Sequence, residues 1–340
     1  MARVRPFPPH RSRVTSYDVA VMAGVAQSTV SRCFQPDSEM AAATRARVQA
    51  VAAELGYVPN AIARSLITRR SEMVAVIVTE FTLRANPAIV GGIGRALAQH
   101  GKQLLLMPVD DDDAARRAAA TAQRYPLDGL VVAAVLGGND VRPFLDRGVP
   151  VVFFNRPAVL ARVDRVATDH AGAARKVAGL LHGAGHRRFV CMAGPQHWPV
   201  NKERAASFTA TLRELGVPDI PELASGPDYA TGREVFLDHA RAHGPPDAVF
   251  CVNDPLAFGV LDACRFDLDL KAPGDVSVVG FDDVAEAAHQ SYDLTTMRQD
   301  IGSLAEAAIE MLLRRLEAPG AKGQRLLLPA TLVRRGSARM

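Results

Sequence analysis

The stretch TSYDVAVMAGVAQSTVSRCF, residues 15–34, contains two short helical patterns separated by one glycine. The apolar residues of its first half are predicted to share one side of a helix: Val19, Ala20, Met22 and Ala23. Gly24 can adopt the left-handed conformation that ends a helix. The second half has small, hydroxyl and amide side chains around Arg32, which indicates a helix that contacts a polar partner.

A third helical pattern follows in RARVQAVAAELG, residues 45–56. Thr44 is the predicted N-cap of this helix. Its apolar residues recur at helical spacing: Val48, Val51, Ala52 and Leu55. Two helices that are joined by a glycine turn and braced by a third helix form a helix-turn-helix.

Positive charge is concentrated at the N-terminal end of the chain. Residues 1–70 contain ten arginines, no lysine and four acidic residues, a net charge of +6, whereas the remaining residues carry −2. A basic segment on a near-neutral body is the charge distribution of a protein with a polyanionic partner such as nucleic acid. Charge alone also fits a solvated basic tail that has no partner.

Residues 56–72, GYVPNAIARSLITRRSE, read as a linker. Pro59 disfavours helical conformation at the preceding residue, and Asn60 can cap a short helix that runs to Leu66. A helix of this length is marginal in water unless it packs on another surface. We therefore expect it to be ordered conditionally.

From Met73 onward, short β-rich runs alternate with amphipathic helical patterns, and the alternation restarts near residue 170. Repeated β-α units predict parallel sheets that are covered by helices on both faces. The two series predict two doubly wound α/β subdomains with a ligand crevice at the carboxyl ends of the strands.

Composition limits the class of protein. No apolar run is long enough to cross a bilayer, and MARVRPFPPHRSR at the start lacks the apolar stretch of a secretory signal, so we expect a cytoplasmic protein without a membrane partner. The four cysteines are scattered, which predicts reduced, mostly buried thiols and no zinc site: Cys33, Cys191, Cys251 and Cys264.

Five segments lie in order along the chain: TSYDVAVMAGVAQSTVSRCF, TRARVQAVAAELGYVPNAIARSL, VNDPLAFGVLDA, DVSVVGFDD and LTTMRQD. Together they resemble the lac repressor (LacI/GalR) family of bacterial transcription regulators, from about Thr15 to about Arg335. The resemblance implies a homodimeric DNA-binding repressor whose body is similar to periplasmic sugar-binding proteins. It implies an operator in double-stranded DNA and a small effector in the crevice.

The expected organisation is an all-α helix-turn-helix domain and hinge helix, followed by a periplasmic-binding-protein-like α/β body. The predicted boundaries are a basic flexible tail at 1–14, a DNA-binding domain at 15–58, a hinge and linker at 59–71, and an effector-binding and dimerisation body at 72–340. We expect one subdomain of the body to comprise 72–168 with 294–300 and the other 169–293 with 301–340.

The resemblance places Gln27 and Ser28 at the two positions that select operator bases, with Arg32 one turn further on. Glutamine can pair with adenine and arginine with guanine in the major groove, so the side chains suit this role. Thr29 and Ser31 are expected to hold phosphates. Tyr17 matches a position near the DNA, and Val30 is expected to pack against the first helix.

In the hinge, Asn60, Ala63 and Leu66 match a helix that enters the minor groove in this family. The resemblance makes Leu66 a wedge that opens a base step and kinks the duplex. Ala63 is small enough for two hinge helices to approach closely. The alternative is that Leu66 is buried against the body.

The resemblance also implies the effector contacts. Asn253, Asp282 and Arg204 match family positions that bind ligand. The other expected contacts are Glu80, Phe81 and Asn86 in a loop after the first strand, Asn155 at a strand end, and Trp198, which could stack on a sugar or merely anchor its loop. We expect three neighbouring acids to be helix N-caps instead: Asp169, Asp254 and Asp283.

The class of effector stays open between a sugar, a sugar acid and a related metabolite. Asn155 stands where several family members have an aspartate, and Ser207 stands where a glycine is usual. The nearby cations Arg84, His197 and Lys202 favour an anionic ligand, whereas Glu80 and Asp282 oppose it. The ligand could induce or co-repress.

Other motifs predict no cofactor, metal or catalytic centre. Gly92 and Gly94 lie within a helical pattern and lack the third glycine of a dinucleotide-binding loop. His182 and His186 fall at a helix end, and the acids at 110–113 precede a helix whose dipole they favour. A sugar-transport protein or an α/β enzyme would leave residues 1–70 without a role, so we expect a regulator.

Overall fold

The computed structural model describes residues 14–34, 38–59 and 70–340. The chain divides between Ser71 and Glu72 into two units. We call residues 1–71 the head and residues 72–340 the body; the predicted start of the α/β body falls at the same position. The predicted hinge residues Asn60, Ala63 and Leu66, and nearly all of the predicted basic tail, lie outside the described residues.

The described part of the head contains α1 (Ser16–Ala23), α2 (Gln27–Cys33) and α3 (Ala42–Glu54). Thr15 begins α1 with a capping box, in which its hydroxyl and its backbone N–H both bind the Asp18 carboxylate. Gly24 ends α1 with φ of 63°, as predicted. Thr44 is not the N-cap of α3, because the helix has already begun at Ala42 and the Thr44 N–H bonds to the Ala41 carbonyl.

The head has a small core of its own, formed by Val19, Ala20, Ala23, Val30, Cys33, Val48 and Ala52. Met22 lies at the edge of the predicted apolar stripe and is 41% exposed. Arg45 of α3 braces the end of α2, because its guanidinium donates to the Cys33 carbonyl at 2.8 Å and to the Ser38 carbonyl at 2.6 Å.

Two six-stranded sheets form the body. The strands of the first sheet are β1 (Met73–Thr79), β2 (Gln103–Val109), β3 (Gly129–Ala133), β4 (Val151–Phe154), β5 (Asp164–Thr168) and β11 (Arg325–Leu328). Their order across the sheet is β11-β5-β4-β3-β1-β2, and all of them are parallel. The strands of the second sheet are β6 (Phe189–Gly194), β7 (Glu222–Ala224), β8 (Ala248–Cys251), β9 (Ser277–Asp282), β10 (Thr295–Arg298) and β12 (Thr331–Val333). Their order across the sheet is β12-β10-β9-β8-β6-β7. Only β12 runs antiparallel to its neighbour in the body.

Helices cover these sheets. They are α4 (Glu80–Ala85), α5 (Ala88–Gln99), α6 (Asp112–Ala122), α7 (Gly138–Asp146), α8 (His170–Gly183), α9 (Pro199–Glu214), α10 (Tyr229–His243), α11 (Asp254–Asp262) and α12 (Ile301–Glu317). β1 shows why both faces are covered. Val74, Val76 and Val78 pack on one side with α5 and α12, whereas Ala75 and Ile77 pack on the other with α6 and α7. The uninterrupted apolar run thus fits a strand buried on both faces.

The chain crosses between the two sheets three times. The first lobe comprises residues 72–168 and 301–328, and the second comprises 170–298 and 331–340. The sequence placed 294–300 in the first subdomain and 301–340 in the second; this is wrong for 294–298 and 301–328, because β10 pairs with β9, α12 packs on β4, β5 and α5, and β11 pairs with β5. Arg315 fixes α12 to the first lobe through two 2.8 Å bonds to the fully buried Asp164 carboxylate.

The four cysteines are buried free thiols. Burial raises the pKa of the Cys264 thiol to about 12, so this sulfur stays protonated at neutral pH. Within the described residues, no helix has the length and apolar character that crossing a membrane requires.

Candidate functional site

A cavity of about 820 Å³ lies between the two lobes of the body. Parallel strands from both sheets end at its wall, so residues that follow β1, β4, β8 and β10 meet there: Phe81, Asn155, Asn253 and Gln299. A crevice at the carboxyl ends of the strands is where open α/β sheets bind ligands. Seven of the eight predicted effector residues line this cavity; Glu80 is exposed and does not.

Arg204 of α9 is the central cation of the wall and is only 3% exposed. Its guanidinium pairs with the Asp282 carboxylate at 3.1 Å and donates to the Val252 carbonyl at 2.6 Å. It also lies 3.6 Å from the centre of the Phe281 ring. Burial lowers the pKa of Arg204, and the charge of Asp282 offsets part of that effect.

His170, at the start of α8, completes this cluster. Its Nδ1 accepts a hydrogen bond from Arg204 Nε at 3.2 Å, so the ring proton is on Nε2. Burial, followed by the charges of Arg204 and other arginines, lowers the pKa of His170 well below its ordinary value. The ring is therefore neutral and supplies no second positive charge beside Arg204.

Gln299, which the sequence prediction missed, connects the lobes. It follows β10 at a crossover, and its Oε1 accepts from Asn155 Nδ2 at 2.8 Å and from Thr168 Oγ1 at 2.7 Å, both in the first lobe. Its Nε2 donates to Asp282 Oδ1 of the second lobe at 2.6 Å. A glutamine directly after a strand, within LTTMRQD, was the available signal.

The residues that Gln299 joins have unusual backbones. Asn155 has φ of 50° and Asp282 has φ of 118°, in the region that disfavours L-residues. Such conformations cost roughly 1–3 kcal/mol each and persist where the surroundings enforce them. The hydrogen bonds to Gln299 therefore hold two strained strand ends on opposite sides of the cavity.

Asn253 lines the cavity but also caps α11, since its Oδ1 accepts from the Leu256 N–H at 2.9 Å. Its Nδ2 donates to the Pro227 carbonyl at 3.0 Å. Asp254 is consequently not the N-cap that the sequence predicted. Its fully buried carboxylate instead accepts from the Val284 N–H at 2.9 Å and from Thr296 Oγ1 at 2.6 Å.

The other two predicted caps differ from each other. Asp169 does cap α8, because its carboxylate accepts from the Gly172 N–H at 2.8 Å. Asp283 caps no helix; it forms ion pairs with Arg298 and Arg335 at 2.5 and 2.7 Å. The sequence shows that an acid follows a strand but does not show which cation folds back onto it.

Asp254 gives the body a measurable pH dependence. Burial, then repulsion by Asp282, raises the pKa of Asp254 to about 7. A folded state that binds this proton gains stability at low pH and loses it as the pH rises through about 7. The quantity to follow is the free energy of unfolding of the wild type minus that of Asp254→Asn. It should rise by about 1 kcal/mol when the pH is lowered from about 8 to about 6.

Denaturant melts of both proteins at several pH values test this expectation. Subtracting the two free energies cancels the contribution of His170, which is the same in both proteins. The lowered pKa of His170 makes the protein less stable as the pH falls through the range where the unfolded histidine is protonated. A difference that stays constant, or that rises with pH, would contradict the assignment.

Two aromatic rings from opposite lobes meet at the cavity. Phe81 of α4 and Trp198, which precedes α9, have ring centres 5.2 Å apart and planes inclined by 52°. Phe81 is not in a loop as predicted, because the Thr79 hydroxyl accepts from the Thr82 N–H and starts α4 directly after β1. Asn86, which ends α4, is buried in the wall.

Two further polar residues of the wall were missed by the sequence prediction. Arg156 follows Asn155 directly and lines the cavity. Asn201 lies one turn before Arg204 on α9, is 5% exposed, and its Nδ2 has no hydrogen-bond acceptor among the described residues. The predicted cations Arg84 and Lys202 are exposed and lie outside the wall, whereas His197 is part of it.

In the head, α2 has two distinct faces. Val30 is fully buried against α1 and α3, as predicted, while Ser28 and Arg32 are exposed one turn apart. Gln27 Nε2 donates to Ser16 Oγ at 3.1 Å, which positions its amide beside α1. Tyr17 is 67% exposed, and Thr29 and Ser31 are half-buried.

Comparison with known proteins gives matches to both units. Residues 15–60 match the family model for bacterial regulatory proteins of the lacI family, and residues 178–338 match the periplasmic binding protein-like domain. The HTH-type transcriptional regulator CelR of Thermobifida fusca is 32% identical, over 96% of this chain and 99% of that protein.

Solved structures that cover 96% of this chain include the following two. The lac repressor dimer bound to operator and the anti-inducer ONPF is 27% identical, with a TM-score of 0.87 and 99% of its chain matched. The complex of the transcriptional regulator CelR with cellobiose is 29% identical, with a TM-score of 0.71 and all of its chain matched.

Proposed function

The chain belongs to the lacI family of bacterial regulatory proteins, and we propose that it represses transcription by binding, as a homodimer, a two-fold symmetric operator. A small sugar-like effector in the cavity of the body controls this binding. The observation that carries the proposal is the combination in one chain of a helix with an exposed polar face and a separate polar cavity.

The exposed face of α2 has the chemistry of a major-groove reader. The amide of Gln27 suits adenine, the hydroxyl of Ser28 suits either a base or a phosphate, and the guanidinium of Arg32 suits guanine. We assign phosphate contacts to Thr29 and Ser31, and an approach to the DNA backbone to Tyr17. We assign the minor groove to the hinge residues Asn60, Ala63 and Leu66.

The cavity suits a hydroxylated ligand. Its wall combines carboxylate, amide and guanidinium groups with the rings of Phe81 and Trp198, and each sugar hydroxyl both donates and accepts. The regulator in the CelR complex holds cellobiose. We assign effector contacts to Phe81, Asn86, Asn155, Trp198, Arg204, Asn253 and Asp282, and none to Glu80.

The effector controls DNA binding because it binds one arrangement of the two lobes more tightly than another. Ligand binding stabilises one arrangement of the two lobes, and Gln299 transmits a change because it bonds to both of them. A ligand that prefers the DNA-binding arrangement acts as a co-repressor, and one that prefers the other arrangement acts as an inducer. We propose that the protein works in the cytoplasm and catalyses no reaction.

Selection of bound duplexes from a random DNA pool tests the proposal. The purified full-length chain should enrich a sequence with two-fold symmetry, because a symmetric dimer presents two copies of α2. Enrichment of no sequence, or of one without symmetry, would contradict it.

Gln27→Ala should reduce discrimination between the selected operator and a duplex that is changed at one contacted base pair by about 1–3 kcal/mol. The matched control is Gln49→Ala, an exposed glutamine on α3. Fluorescence anisotropy titrations with both duplexes measure the effect, and thermal melts check that loss of the bond to Ser16 leaves the head folded. Unchanged discrimination by Gln27→Ala would remove this residue from the set of base readers.

A further inference from the structure

Arg156 places a positive charge in the cavity wall that no neighbouring carboxylate pairs with. Within the body, its guanidinium donates one hydrogen bond, from Nη1 to the Asn155 carbonyl at 2.8 Å, and forms no ion pair. The fully enclosed cation of the wall, Arg204, is by contrast paired with Asp282. Arg156 therefore has most of its five N–H donors available to a ligand.

The surroundings of Arg156 disfavour its charge. Desolvation by burial, then the nearby charge of Arg204, lowers the pKa of Arg156 to about 10, while Asp112 and Asp282 act in the opposite direction from beyond ion-pair distance. The group remains protonated at neutral pH. A half-buried charge of this kind loses part of its hydration without gaining a full counter-charge from the wall, so an anionic partner would stabilise it.

A second donor in the wall also lacks an acceptor. The side chain of Asn201 is 5% exposed, and its Nδ2 forms no hydrogen bond within the described residues. Asn201 and Arg156 come from opposite lobes and line the same cavity. Acceptor oxygens on the ligand would satisfy both the unpaired guanidinium and the unpaired amide donor.

The acids of the cavity do not cancel this excess of donors. Asp111 is exposed and caps α6 through the Ala114 N–H, and Asp113 is paired with Arg116. Asp110 is exposed, and among the acids at 110–113 it is Asp112 whose charge acts on Arg156. The acids therefore lie mainly at the solvent-exposed edge, whereas the uncompensated cation is half-buried in the wall.

We propose that the effector carries an anionic group, a carboxylate or a phosphate, which Arg156 binds. The proposal rests on the effector role of the cavity given above and names the class of ligand for that site. The planar guanidinium binds either group through two parallel N–H···O bonds.

Isothermal titration calorimetry of the full-length chain tests the proposal with matched sugars. The probes are glucose, gluconate, glucuronate and glucose 6-phosphate, the corresponding galactose series, and ribose with ribose 5-phosphate. At least one acid or phosphate should bind about ten- to hundredfold more tightly than its neutral parent, the gain expected from a charge-assisted pair of bonds. The carboxylate and phosphate arms distinguish the two sources of negative charge.

Variants assign the preference to one residue. Arg156→Gln should remove the advantage of the anionic probe while retaining the affinity of the neutral parent, and Arg156→Lys should keep part of the advantage because it keeps the charge. Arg84→Gln is the matched control, since Arg84 is exposed and lies outside the cavity wall. Circular dichroism melts confirm that each variant is folded.

A panel in which no anionic probe outbinds its neutral parent overturns the proposal, and so does a preference that survives in Arg156→Gln. Anisotropy titrations with the selected operator separate this failure from failure of the proposed function. If no anionic probe has an advantage but a neutral sugar alters operator affinity, only the anionic class is refuted. Absence of any specific DNA binding refutes the proposed function itself.

Discussion

Arg204→Met should destabilise the body by about 3–5 kcal/mol and abolish ligand binding. The guanidinium neutralises Asp282, satisfies the Val252 carbonyl and packs on the Phe281 ring. Methionine restores apolar volume but leaves a largely buried carboxylate and a carbonyl without their donors. Removal of one partner of a buried pair costs more than the pair itself contributes, because the remaining charge stays desolvated.

Urea denaturation of the wild type and the variant measures this loss. Arg213→Met is the matched control, because Arg213 lies on the same helix, is 53% exposed and pairs only loosely with Glu222 at 3.9 Å. It should change the free energy of unfolding by less than about 1 kcal/mol. Adding Asp282→Asn to Arg204→Met should restore part of the stability. If the single variant is as stable as the control, Arg204 does not have the electrostatic role assigned to it.

Operator affinity should fall by about a thousandfold or more when salt rises from about 50 to about 200 mM. Each head carries a net charge of +6, entirely from arginine on the basic side, and a dimer presents two heads. Binding of six to ten phosphates, roughly the number such a dimer covers, releases counterions in proportion and sets the slope.

Anisotropy titrations at four or five salt concentrations give this slope. Arg124→Gln, which removes an exposed charge of the body, should leave the slope unchanged. A slope near zero would mean that phosphate contacts do not hold the protein on DNA.

Local patterns predicted the elements that frame the site. Gly24 was identified as a helix end because few residues tolerate φ of 63°, and Val30 as a packing residue because it lies among small polar neighbours. The restart of the β-α alternation predicted two parallel sheets with a crevice at their strand ends. Each of these inferences depends only on residues near in sequence.

Long-range partners could not be predicted in this way. Sequence alternation does not show which sheet takes β10 or α12, because the apolar faces of both elements would fit either lobe. Asn253 and Asp254 are equally suitable caps, and the choice depends on Thr296 and Val284, which are far along the chain. Gln299 and Arg156 became site residues only when the fold brought both lobes to one cavity.

The most direct test of the account is the affinity of the full-length chain for its selected operator, measured with and without a saturating ligand from the sugar panel. Coupling between two sites typically changes affinity by about five- to 150-fold. We expect a change of that size in the wild type, in either direction, and none in Arg204→Met. Equal operator affinity with and without a ligand that demonstrably fills the cavity would contradict the claim that the cavity controls DNA binding.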